Sequence, residues 1–243
     1  MDGYLLNLAT TLMVVISFLM VVYIYNFLRK KVASEVARKV YTYLVIAWTF
    51  FTITYVFALI RNPIEDIAIN IWINKIDTAV TAIGAAFLFM FLGELYGSKR
   101  FKIAFSIIGF IVASVVFVVY LFWPGFSAEA SEFGVEVIPP SFVKIVVLCG
   151  ILTIVGAFLF TAVYFSLKVE KPELKRKVIY VSISYIIFWI FQLMEAGGIM
   201  VEALGGIGII ITRITLVLMA FTIIVIWAGK DKFMEGLKSL FRR

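Results

Sequence analysis

The sequence predicts an all-α integral membrane protein: a seven-transmembrane-helix bundle with its N-terminus outside and its C-terminus cytoplasmic, ending in a short amphipathic helix. Two observations predict it. The chain is 63% hydrophobic with a mean hydropathy of +1.08, well above the roughly 45–50% apolar content of a soluble domain. In addition, eighteen of the 22 Lys and Arg residues fall in alternate gaps between long apolar runs. Basic residues in short loops stay on the cytoplasmic side of a membrane, so this alternation gives both a helix count and an orientation.

A membrane-spanning helix needs about 20 mostly apolar residues, and seven stretches qualify. The first, Tyr4 to Leu28, is followed by Arg29, Lys30 and Lys31. It opens acidic, its apolar run is longer than a signal h-region, and the basic residues follow it, so it reads as a retained span. The second runs from Lys39 to Ile60. The third, Ile67 to Tyr96, has a polar outer end (Asn70, Asn74, Lys75, Asp77), so its start lies anywhere from Ile64 to Ile76. The fourth is Phe101 to Trp123, behind Lys99 and Arg100. The outer loop that follows, Pro124 to Ser141, alternates through Glu132 to Ile138 in the manner of a short hairpin.

The fifth span is Phe142 to Leu167, the sixth Val178 to Met200 beyond a cluster from Lys168 to Lys177, and the seventh Gly205 to Ala228. All five prolines are read as lying between spans, as helix breakers should. Residues 1–229 form one transmembrane domain. In the tail, 230–243, Phe233, Leu237, Leu240 and Phe241 recur at helical spacing beside Lys238, Arg242 and Arg243. That pattern suits an amphipathic helix on the inner membrane surface.

The net charge of +7 is the excess of these inner loops, which favours anionic membrane lipids and not nucleic acid. One cysteine, Cys149, excludes an internal disulfide. The absence of histidine removes the commonest metal and haem ligand and the usual general base. No phosphate loop, CxxC or HExxH motif occurs, so the expectation is a protein that is not an enzyme and holds no metal.

Charges inside spans are the functional lead, because an ionisable group at the bilayer centre costs roughly 2.5–3.5 kcal/mol on insertion scales. Arg213 lies about 9–12 Å below the outer end of its span at 1.5 Å per residue. Asp77 reaches a similar depth, and Glu195 sits about one and a half turns below the outer end of the sixth span. In that span Ser182, Tyr185, Trp189, Gln192 and Glu195 recur at steps of three or four and share a face. Ile183, Ile186, Ile187, Ile190 and Leu193 form the opposite, lipid-like face. Asp77, Tyr185, Trp189, Gln192, Glu195 and Arg213 are therefore the candidate ligand-binding residues, with a purely structural ion-pair cluster as the alternative. Glu94, beside Lys99 and Arg100, reads as a solvated carboxylate at the inner interface.

The stretch from Tyr185 through Trp189 to Glu195-Ala196-Gly197, together with the topology, resembles the sixth helix of microbial rhodopsins. In that family the seventh helix carries an aspartate counterion and, four residues on, the lysine that forms the retinal Schiff base. Here Arg213 and Val217 fall near those places, and no lysine occurs between Lys177 and Lys230. The resemblance thus implies an opsin-like bundle without covalently bound retinal, a shape also used by sensor domains of prokaryotic signalling proteins. The expected function is a sensor or receptor of the cell membrane. It would bind a small anionic or zwitterionic ligand, or an ion, in an outer-half pocket and signal to a cytoplasmic protein. The alternatives are a small transporter with a three-one-three helix arrangement and a non-catalytic scaffold subunit.

Overall fold

The computed structural model describes residues 3–131, 134–196 and 206–229. Among them, seven helices are long and apolar enough to cross a membrane, which marks a multi-pass membrane protein. They are α1 (Gly3–Lys31), α2 (Glu35–Arg61), α3 (Ile67–Leu95), α4 (Lys99–Phe122), α5 (Ser141–Lys168), α6 (Pro172–Ala196) and α7 (Gly206–Ala228). A two-stranded hairpin, β1 (Ser127–Ser131) with β2 (Gly134–Ile138), stands between α4 and α5. The tail 230–243, Gly197-Gly198 and the side chain of Glu195 lie outside the described residues.

The helix ends follow local chemistry. Asp66 caps α3 by accepting a hydrogen bond from the Ile69 amide (2.9 Å), which fixes a start that hydropathy alone leaves open over twelve residues. Ser34 caps α2 in the same way. Gly97, with φ at +66°, lets the chain leave α3 and re-enter α4 within three residues. The sixth helix begins earlier than its apolar run does. Pro172 is its first residue and not part of a loop, because a proline at the first helical position loses no intrahelical hydrogen bond. Lys175, Arg176 and Lys177 therefore extend the helix beyond its apolar part.

Each helix packs on its neighbours in sequence, and α7 packs back on α1, so the seven form a closed, sequence-ordered ring. Since successive helices run in opposite directions, all the basic gaps fall at one end of the bundle, the basic end; the hairpin lies at the far end. Without a hydrophobic drive between helices in lipid, close backbone approach matters. A Cβ on Gly109 would come within 2.6 Å of the Phe89 Cβ, and one on Gly93 within 3.1 Å of the Lys102 Cα, so α3 and α4 lie nearly in contact. The centre of the ring is filled by aromatic rings. Phe18 meets Trp48 edge to face at 4.9 Å, Phe51 meets Trp189 at 5.7 Å, and Tyr185 stacks on Phe158 at 4.6 Å. Outward-facing side chains such as Phe110, Phe122 and Leu167 are about 70% exposed, as a lipid-facing surface requires.

Candidate functional site

The polar face read from α6 does turn inward: Ser182, Tyr185 and Trp189 are buried, while Ile183 and Ile190 are exposed. Ile186 and Leu193, expected among the lipid-like residues, instead pack partly against the core. Tyr185 accepts a hydrogen bond from Trp48 Nε1 (3.1 Å) in the centre of the bundle. Two turns further on, Gln192 Nε2 donates to the Tyr55 hydroxyl at 2.7 Å, tying α6 to α2.

Between these two tiers, α1, α2, α3 and α6 leave a cleft. It is walled by the rings of Phe18, Phe51 and Phe188 and by Thr54, Tyr55, Thr81, Trp189 and Gln192. Its volume open to a water-sized sphere is about 10 Å³, room for about one water molecule and far below the roughly 300–1,000 Å³ of sites for drug-sized ligands. The Thr54 and Thr81 hydroxyls touch at 2.8 Å, and both lie within hydrogen-bond reach of the Asp77 carbonyl. Their protons are committed to each other or to backbone carbonyls. Trp189 is 3% exposed, and its Nε1 has no hydrogen-bond partner. A buried donor without an acceptor is costly, and here it belongs to a residue that lines an open space.

The charged candidates sit toward the far end from this cleft, in two groups. Asp77 lies 4.0 Å from Arg61 Nη1 and accepts a hydrogen bond from the Thr78 hydroxyl (3.0 Å). Arg213, 7% exposed, reaches from α7 to α1. The two N–H groups of its Nη1 are shared among acceptors within reach: the Asn7 carbonyl (2.8 Å), Thr10 Oγ1 (3.1 Å), Thr11 Oγ1 (2.6 Å) and the Asn7 side-chain oxygen. Asn7 in turn donates to Asn62 Oδ1 at 3.3 Å, linking α7, α1 and α2 in one polar belt. The hairpin rests over this belt: a Cβ on Gly134 would sit 3.9 Å from Asn7 Nδ2.

Two more charges are accounted for locally. Lys75 Nζ donates to the Trp123 carbonyl (2.8 Å) and lies 4.4 Å from the Phe126 ring centre. It thereby meets the negative end of the α4 dipole. Glu94 is 8% exposed and 2.5 Å from Lys102 Nζ. The expectation of a solvated carboxylate is corrected, because the close approach of α3 and α4 at Gly93 buries the Glu94 carboxylate, while Lys102 stays about a third exposed.

Of the six sequence candidates, Trp189 and Gln192 line the cleft and Tyr185 belongs to the aromatic core. Asp77 meets the cleft's threonines through its backbone carbonyl, Arg213 serves the α1–α7 seam, and the side chain of Glu195, the sixth, lies outside the described residues. Sequence reasoning missed Thr54 and Thr81, whose signal was two hydroxyls within apolar spans. It also missed Asn7, Thr10 and Thr11, which share one helical face at steps of three and four. The chain matches no protein-family model and no curated protein.

Proposed function

We propose that this protein is a sensor of the cell membrane that admits a small ligand to the cleft between α1, α2, α3 and α6. The basic end is the cytoplasmic one, because lysines and arginines in short loops stay inside, and the hairpin end is external. The observation that carries the reading is a narrow, mostly apolar cleft in the middle of the bundle, walled in part by Trp189, a buried indole whose N–H has no hydrogen-bond partner. Buried polar groups in proteins are nearly always satisfied, so a donor kept unsatisfied beside open space marks a place for a guest. The likeness of residues 185–197 to microbial rhodopsins, with the sequence-ordered ring, supports an opsin-like bundle working without a chromophore.

Binding between α6 and α2 would alter the Gln192–Tyr55 contact and shift α6, whose basic extension from Pro172 to Lys177 projects at the cytoplasmic end. A partner protein reads that shift at the inner loops, as small helix movements commonly transmit a signal. The direct test is thermal stability of the purified full chain against a panel of neutral, anionic and zwitterionic small molecules. At least one should raise the midpoint for wild type and fail to do so for Trp189→Phe; a panel with no such member removes the reading.

A further inference from the structure

At the basic end of the bundle, Lys99 and Arg100 stand exposed at the start of α4, and Lys168 stands exposed at the end of α5. None of the three enters an ion pair among the described residues. Two basic residues of the same end do: Lys102 lies 2.5 Å from Glu94 and Lys39 lies 2.9 Å from Glu35. Glu170, two positions beyond Lys168, is exposed and is not paired with it.

Partly exposed aromatic rings fill the seam between α4 and α5 at this end. Tyr96, at the end of α3, stacks on Phe101 at 4.4 Å. Tyr164 of α5 approaches both, at 4.8 Å from Tyr96 and 5.6 Å from Phe101. Phe160, 49% exposed, lies 6.4 Å from Phe101. On α5, Phe160, Tyr164 and Lys168 follow at steps of four, so each neighbours the next. On α4, Arg100 directly precedes Phe101, and exposed Ile103 and Ile107 continue its face toward the middle of the membrane. Cations from two helices therefore rim one aromatic seam, with an apolar stripe leading away from it.

That combination matches both halves of an acidic lipid. Basic pockets between membrane helices hold anionic headgroups, and aromatic rings settle at headgroup level. A neutral lipid would leave the cations without a counter-charge, and a soluble anion would leave the seam uncovered. We propose that the α4–α5 seam at the basic end holds one anionic phospholipid, its phosphate among Lys99, Arg100 and Lys168 and its acyl chains on Phe160, Ile103 and Ile107. The site is independent of the cleft and of which side of the membrane the basic end faces.

The test is native mass spectrometry of the full chain in neutral detergent, with equal concentrations of dioleoyl phosphatidylglycerol and dioleoyl phosphatidylcholine. Wild type should retain one phosphatidylglycerol in clear preference to phosphatidylcholine; equal retention overturns the proposal. Each cation near a membrane surface contributes about 1 kcal/mol, or about fivefold, so Arg100→Gln with Lys168→Gln should lower the preference by about 25-fold. Arg38→Gln with Lys39→Gln removes the same charge from the start of α2 and should leave the preference in place. All four side chains are exposed, so both double variants keep the fold. An equal loss in the two would mean diffuse attraction to the whole basic end and no site. Arg100→Lys, which keeps the charge, should retain most of the preference; loss as large as in Arg100→Gln contradicts recognition by charge. Glycerol 3-phosphate and a hexaglutamate peptide, each at the lipid concentration, should displace nothing. Displacement by the first would assign the cations to a soluble phosphate, and displacement by the second to an acidic protein segment; either overturns the lipid.

Discussion

Arg213 shows how a residue picked out from sequence can be important for a reason the sequence does not display. Its position inside an apolar span was plain, but its acceptors lie about 200 positions away on α1. No local pattern connects an arginine to an Asn-x-x-Thr-Thr face across that distance. Hydrogen bonds between membrane helices average about 0.6 kcal/mol with a maximum near 1.7. Several acceptors converge on one guanidinium here, so Arg213→Ala should lower unfolding stability by about 2 kcal/mol. Arg213→Lys, which retains a donor, should lose about half of that, both measured by SDS titration of the folded fraction. The Gln192–Tyr55 bridge belongs to the ordinary range. A double-mutant cycle of Gln192→Leu and Tyr55→Phe should return a coupling of about 0.6 kcal/mol; a coupling near zero would mean the bond contributes nothing to the bundle. Glu94 was misjudged from sequence because its neighbours in the chain, Lys99 and Arg100, are not its partner; Lys102, one turn into the next helix, is.

At the level of the element, apolar run length located all seven helices, whereas their ends depended on features that hydropathy does not weigh. The Asp66 cap and Pro172 set two boundaries, and both are legible to rules about helix termini once those rules are allowed to override the apolar count. Helix proximity was not legible, since a glycine in an apolar run looks the same whether it faces a neighbour or lipid. Gly109 and Gly156 make the contrast measurable. A methyl at Gly109 collides with the base of the Phe89 side chain at 2.6 Å, while one at Gly156 meets nothing within 4 Å. Gly109→Ala should destabilise by about 2 kcal/mol through overpacking. Gly156→Ala should be neutral or slightly stabilising, since alanine favours a helix over glycine by up to about 1 kcal/mol. In the hairpin, Glu129 and Glu136 stand directly opposite each other on an exposed face. Like charges so placed repel by several tenths of a kcal/mol, so Glu136→Lys should increase amide-exchange protection of β1 and β2.

For the molecule as a whole, the alternation of basic gaps predicts which end is inside, and labelling tests it. In a Cys149→Ala background, a membrane-impermeant maleimide applied to intact cells should modify Ser127→Cys in the hairpin and spare Ser34→Cys at the α1–α2 turn. The reverse pattern would invert the orientation. The closure of the ring, by contrast, has a consequence in time. The polar face of α1 enters the membrane early in synthesis, and Arg213 is 206 positions behind Asn7. At about 5–20 residues per second, α1 waits roughly 10–40 s for the guanidinium that will occupy its polar face. During that interval Asn7, Thr10 and Thr11 sit in an unfinished bundle, open to whichever helix or insertion factor meets them first. A nascent chain stalled before Arg213 should therefore crosslink through the Asn7 face to the insertion machinery, and release of the α7 segment should end that contact.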